Sequence, residues 1–140
     1  MKKICLLLFI FLGITAAKVG ADQFVPEFDK MKFVRCEIDE EIFNQDNTKV
    51  SDSHYHRFYR WDDEYKQVFL QKEPVDRLIY YGPDKIEFRY QDMTDDFIEQ
   101  THVSIDRTTM KYQSNSRINY DNPDFGSRYS KGTGDCKILE

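Results

Sequence analysis

Residues 77–90 read RLIYYGPDKIEFRY and contain a tight turn between two extended segments. Apolar and polar residues alternate from Ile86 to Gln91, the period of two that is typical of a β-strand with one buried face. In the turn, Pro83 fixes its own φ angle and the side chain of Asp84 can accept a hydrogen bond from the backbone. This stretch therefore predicts a β-hairpin.

The same pattern recurs on both sides of this hairpin. Polar turns at 62–64 and 106–109 are each flanked by segments rich in aromatic and β-branched residues. The segments KFVRCEI at 32–38 and CKIL at 136–139 open and close the series. We therefore predict an all-β fold of about eight short strands, connected as an antiparallel meander.

The cysteines add a constraint between the two ends of this meander. Cys36 lies in the first predicted strand and Cys136 in the last, and a disulfide between them brings their Cα atoms to within about 6 Å. A meander whose first and last strands meet forms a small barrel or a curled half-barrel. A two-layer β-sandwich is the alternative that the same strand count permits.

The N-terminal segment has the pattern of a signal peptide. Lys2 and Lys3 precede an apolar run at 4–14, and small residues follow up to Ala21. Eleven residues of helix cover only about half of a ~30 Å hydrocarbon core, which is too short for a spanning helix. We predict cleavage after residue 21, no stable membrane anchor thereafter, and a single all-β domain at 22–140. Cys5 leaves with the signal peptide, and a paired Cys36 and Cys136 suit a periplasmic or secreted protein.

The net charge of the chain after removal of the signal peptide limits the kinds of partner that we expect. Removing residues 1–21 takes away Lys2, Lys3 and Lys18, which leaves 17 basic against 25 acidic residues and a formal net charge of −8. Nucleic acids and anionic membrane surfaces are bound by clusters of Lys and Arg. The sequence has no such cluster, so we expect neither kind of partner.

Two polar stretches predict loops, at 44–53 and at 114–134. The longer one mixes turn-forming residues with Tyr120, Phe125 and Tyr129. Long loops in compact domains frequently carry function, so these three aromatic residues are candidates for contact with a ligand or a partner. The alternative is that they pack over one end of the core as a plug.

The histidines suggest a possible metal site. His54 and His56 flank Tyr55, so on a strand both imidazoles point to the same face and could bind zinc or copper. His102 is a third candidate ligand if its strand lies nearby. The alternative is that all three are ordinary polar residues of a solvated face.

Sequence motifs for catalysis are absent. The chain has no G-x-S-x-G elbow, no glycine-rich phosphate loop and no H-E-x-x-H. Adjacent residues on a strand point to opposite faces, so the acidic pairs at 62–63 and 95–96 do not form an acid/base couple there, and both pairs lie in predicted turns. We therefore predict a non-catalytic binding module for a small ligand or a protein partner, with no required cofactor. The alternatives are a metal-binding protein, an inhibitor of a basic extracytoplasmic enzyme such as a lysozyme, and a hydrolase.

Overall fold

A computed structural model describes residues 25–139, which form one short 3-10 turn at Phe28–Lys30 and nine β-strands. The strands are β1 (Lys32–Asn44), β2 (Lys49–Asp62), β3 (Gln67–Leu70), β4 (Glu73–Pro74), β5 (Arg77–Tyr81), β6 (Lys85–Met93), β7 (Phe97–Asp106), β8 (Lys111–Tyr120) and β9 (Ser127–Leu139). The signal peptide predicted at residues 1–21 lies outside the described residues.

All nine strands belong to one antiparallel sheet, in the order β4-β3-β2-β1-β9-β8-β7-β6-β5. Consecutive strands pair throughout, except that β4 and β5 form the two edges and β1 pairs with β9. The sheet thus consists of a first arm, β1 to β4, and a second arm, β5 to β9. It curls so that side chains of β2 meet side chains of β6, which confirms the all-β half-barrel rather than the sandwich.

Cys36 and Cys136 are direct partners in the β1–β9 ladder and form a disulfide, with their Cα atoms 3.9 Å apart. Both point to the concave face and are buried. The predicted disulfide is therefore present, and such a bond is typical of an oxidising, extracytoplasmic compartment. Residues 25–139 include no helix that is long and apolar enough to cross a membrane.

The hydrophobic core fills one half of the concave face. The rings of Tyr59 on β2 and Phe88 on β6 pack with their centroids 5.4 Å apart, across the inside of the half-barrel. Trp61, Ile86 and Tyr112 pack in the same cluster and are almost completely buried. Each such side chain stabilises the fold by about 1.5–3 kcal/mol through its removal from water. This half of the concave face is occupied by the protein's own side chains.

The other half of the concave face is polar. Its side chains include Glu40, whose carboxylate accepts hydrogen bonds from Tyr55 and from Ser130. Arg57 reaches across from β2 to lie over the ring of Tyr90 on β6, at 5.4 Å. The small buried residues Thr101, Ser114 and Ser116 line the sheet beneath these groups. Glu40, Tyr55 and Ser130 are thus joined by hydrogen bonds, whereas Arg57 Nε is buried without a hydrogen-bond partner in the described residues.

The predicted loops are mostly strand, and both loop predictions were wrong in extent. The connection predicted at 44–53 is a turn of four residues between β1 and β2, and the one predicted at 114–134 is reduced to 121–126. Alternate serines of β8 point into the concave face, so its composition resembles a turn although its periodicity is that of a strand. Gly134 of β9 is required by packing, since a Cβ there would lie 1.9 Å from the carbonyl oxygen of Glu37.

A candidate ligand-binding groove

A groove of about 450 Å³ crosses strands β6, β7 and β8 on the convex face. Tyr90, Thr101 and Ser116 point into the concave face, so their neighbours along each strand point outward. We call this site the outer groove. Its outward side chains are Asp76, Arg89, Gln91, Gln100, His102, Asn115 and Arg117.

Sheet register arranges these side chains in two rows across the strands. Arg89, His102 and Asn115 are successive cross-strand partners in one row. Gln91, Gln100 and Arg117 form the second row, with a side-chain hydrogen bond of 3.3 Å from Gln100 to Gln91. Each row therefore combines guanidinium or imidazole groups with amides.

One carboxylate, that of Asp76, lies at the end of the groove and has a structural role. Strand β5 begins at Arg77, so the backbone N–H of Gln91 has no ladder partner beyond it. Asp76 Oδ2 accepts this hydrogen bond at 2.6 Å. The Asp76 side chain thus ends the β5–β6 ladder and fixes the rim of the outer groove.

The arginines of the chain fall into two groups. Of the eight, Arg35, Arg57 and Arg107 pair with carboxylates, while Arg60 and Arg128 lie over aromatic rings. The guanidinium groups of the other three make no ion pair, hydrogen bond or ring contact within residues 25–139. These three are Arg77, Arg89 and Arg117.

The three unpaired arginines lie together at the outer groove. Arg89 and Arg117 line it, and Arg77 is the direct cross-strand partner of Arg89. A guanidinium group presents a planar fork of donors that fits a carboxylate or a sulfate in a bidentate fashion. The neighbouring amides of Gln91, Gln100 and Asn115 offer both donors and acceptors. This arrangement can bind an anionic ligand that also carries hydroxyl groups.

Two of the predicted metal ligands lie elsewhere on the convex face. His54 and His56 are exposed on β2, with their ring centroids 5.8 Å apart. His54 Nδ1 lies 2.7 Å from Asp39 Oδ1, and His56 Nδ1 lies 4.0 Å from Glu37 Oε1. The two imidazoles thus share a face, as predicted.

His102 does not join them. It lies on β7, four strands from β2, which corresponds to about 19 Å along the sheet. There it lines the outer groove, with Nε2 3.7 Å from Glu87 Oε1. Within residues 25–139, no group of three or more His, Cys, Asp or Glu side chains is placed to hold a metal ion.

The three predicted aromatic contact residues are divided between two places. Tyr120 and Phe125 pack against each other at 5.6 Å, and the guanidinium of Arg128 lies over both rings. Tyr129 instead points outward from β9 and stacks on Phe43 of β1. It is also the cross-strand partner of Arg117, which places it next to the outer groove.

Arg89, Arg117 and the amides beside them carry no sequence motif that indicates a binding site. Each is the polar member of an alternating strand pattern, which by itself indicates a solvated face. Their proximity depends on the register between β6, β7 and β8, where a shift of one residue turns every side chain to the other face. The sequence feature that could have indicated the groove is the run of long polar side chains at the outward positions of these strands.

Comparison of the chain with models of protein families and with curated protein sequences finds no match to either.

Proposed function

We propose that this protein is a non-catalytic binding module of an extracytoplasmic compartment, and that its outer groove binds an anionic ligand. The observation that carries the proposal is the clustering of Arg77, Arg89 and Arg117, the three arginines without a partner among residues 25–139. The formal charge of residues 22–140 is −8, so carboxylates are plentiful on this chain. The guanidinium groups of these arginines, on β5, β6 and β8, therefore leave positive charge for a ligand.

The location of the groove also supports binding. Strands β6, β7 and β8 are paired on both sides, so the side chains stand on a rigid part of the sheet. A scaffold of this kind holds its polar groups in place before the ligand arrives, which lowers the entropic cost of binding. The disulfide between Cys36 and Cys136 and the predicted signal peptide are consistent with a role outside the cytoplasm.

The experiment measures binding of three probes to the exported, oxidised protein by NMR titration of its backbone amides. The probes are galacturonate, sulfate and the neutral sugar galactose. We expect galacturonate and sulfate to shift amides of β6, β7 and β8, and galactose to have a much weaker effect.

Variants then locate the site. Exchange of Arg89→Gln together with Arg117→Gln should weaken galacturonate binding by about 10-fold or more, since a hydrogen bond to a charged group contributes about 1.5–3 kcal/mol. The matched control is Lys137→Gln, because Lys137 is an exposed cation of β9 outside the groove. Equal binding of galactose, or an unchanged affinity in the double variant, would contradict the proposal.

A further inference from the structure

We infer that the outer groove is the centre of a longer band that binds an acidic polysaccharide, a chain of sugars bearing carboxylates. This inference rests on the proposed function, because it uses the same arginines. It goes further in naming the class of ligand and in adding Lys131 and Tyr129 to the site.

The band extends beyond the groove at both ends. At one end Arg77 on β5 lies opposite Arg89, and at the other Lys131 on β9 lies opposite Asn115. The row Arg77, Arg89, His102, Asn115 and Lys131 thus crosses five adjacent strands. Four strand spacings of about 4.8 Å give it a length of about 19 Å. With Arg117 of the second row, cationic side chains lie on β5, β6, β8 and β9 along this length, which suits a ligand with repeated negative charges rather than a single anion.

Arg77 and Arg89 lie directly opposite each other on β5 and β6, and this placement favours binding of an anion. Like charges that lie directly opposite each other on two strands destabilise a sheet. Neither guanidinium is neutralised by a carboxylate from the part of the chain that the structure describes. A ligand carboxylate placed between the two groups removes this repulsion, so the pair favours the bound state over the free one.

An apolar ledge continues the second row of the groove. Tyr129 follows Arg117 in register and stacks on Phe43, with 5.1 Å between ring centroids and 15° between ring planes. Both rings are partly exposed. The C–H groups of a sugar ring can pack on such a surface while its hydroxyl and carboxylate groups reach Arg117 and Lys131. Alternating apolar and charged contacts are what a uronic acid chain requires.

A peptide fits this surface less well. Extended peptides usually add to a sheet through the free backbone groups of an edge strand. Strands β6 to β9, which carry four of the five positions of the row, have neighbours on both sides, so their backbone groups are already used in the sheet, and β5 is the one edge strand of the band. Recognition on this face must therefore come from side chains. Amide and guanidinium groups can form hydrogen bonds directly with hydroxyl and carboxylate groups.

The test compares galacturonate with its linear oligomer of five residues, by isothermal calorimetry on the exported protein. Further probes are the same oligomer with its carboxylates methyl-esterified, and a pentamer of glutamate. We expect the acidic oligomer to bind at least about 10-fold more tightly than the monomer, since linked groups raise the effective concentration of each other. Esterification should abolish this gain, and the glutamate pentamer should bind no better than galacturonate.

Two variants examine the part of the band that lies on β9, outside the outer groove. Lys131→Gln and Tyr129→Ala should each weaken the oligomer by about 5-fold or more, while leaving the affinity for the monomer unchanged. Lys137→Gln again serves as the control. Because the side chain of Lys131 is exposed, its exchange keeps the test valid if Tyr129→Ala impairs folding.

The outcomes separate the two proposals. Equal affinities for monomer and oligomer, or equal binding of the glutamate pentamer, would overturn the polysaccharide inference and leave the anionic groove intact. Binding of neither galacturonate nor its oligomer would overturn the polysaccharide inference, and failure of sulfate to bind as well would overturn both.

Discussion

Tyr81 donates a hydrogen bond to Asp63 at 2.6 Å, and this contact joins the two arms of the half-barrel. Tyr81 lies on β5, an edge of the second arm, whereas Asp63 lies in the turn that follows β2 in the first arm. Asp63 also pairs with Lys32 and Arg107, each at 2.8 Å. Side chains therefore connect two regions that the backbone ladder leaves apart at this end.

Asp63 should make the stability of the protein depend on pH in the acid range. Although burial by itself raises the pKa of this carboxyl, hydrogen bonds from Lys32, Tyr81 and Arg107 together lower it to about 2. The ordinary pKa of an unfolded aspartate is about 3.9. The stabilisation is thus complete above about pH 4 and is lost as the pH falls towards 2.

The measurement is urea unfolding of the wild type and of Asp63→Asn between pH 7 and pH 2. The variant should be less stable at pH 7 by about 1 kcal/mol, a value reduced for the partial exposure of Asp63 to solvent. It should also lose less stability on acidification. Asp95→Asn, an exchange in an exposed turn, controls for the loss of one carboxylate. Parallel acid profiles for the wild type and Asp63→Asn would refute this role.

The disulfide should contribute strongly to stability. Reduction of the bond between Cys36 and Cys136 should lower the free energy of unfolding by about 2–5 kcal/mol, because the bond closes a loop of about 100 residues in the unfolded chain. Urea unfolding with and without dithiothreitol measures the effect. In a Cys36→Ala/Cys136→Ala variant the reductant should change nothing, and a response there would show that it acts elsewhere.

Two glycines of β9 should differ in their tolerance of alanine. A Cβ at Gly134 would lie 1.9 Å from a backbone atom, the carbonyl oxygen of Glu37, whereas at Gly132 the nearest atom is the rotatable Oγ of Ser114 at 2.4 Å. Gly132→Ala should therefore cost about 1–2 kcal/mol and Gly134→Ala more than about 3 kcal/mol. Thermal unfolding of the two variants side by side provides the comparison. Equal losses would mean that the β1–β9 ladder adjusts freely.

Glu99 should oppose stability at neutral pH. Partial burial, reinforced by the negative charge of Glu40, raises the pKa of the Glu99 carboxyl above its ordinary value of 4.5. The folded state thus holds this proton more tightly than the unfolded state, so the wild type loses stability as the pH rises through the raised pKa. Glu99→Gln should be the more stable protein at pH 7.5 and should lose this advantage at pH 4. Identical unfolding midpoints at pH 7.5 would exclude the effect.

Much of the fold was predictable because local signals agreed with one another. The turn at Pro83 and Asp84 is found between β5 and β6, and the turns at 62–64 and 106–109 also connect strands. The paired cysteines supplied the one long-range contact, the meeting of the first and last strands. The lengths of β8 and β9 were missed because serines and glycines inside a strand have the same composition as a turn.

The candidate site was less predictable. His102 was selected as a metal ligand from its residue type, yet its neighbours in space are Arg89 and Asn115, which register alone places beside it. Tyr129 was predicted to be a contact residue because it lay in a predicted loop, but that segment is a strand. Strand register places it beside Arg117. Absence of a partner, the property that distinguishes Arg77, Arg89 and Arg117, is a property of three-dimensional structure. No pattern along the chain reports it.

The pairing of β1 with β9 has a consequence for how the chain folds. Seven of the eight ladders join consecutive strands and need only short loops to close, so each arm of the sheet can form early and separately. The β1–β9 ladder has a high contact order and must await the last strand to be synthesised. Strand β9 thus acts as the closing element, and until it docks the exposed side of β1 is a temporary edge that other chains can pair with.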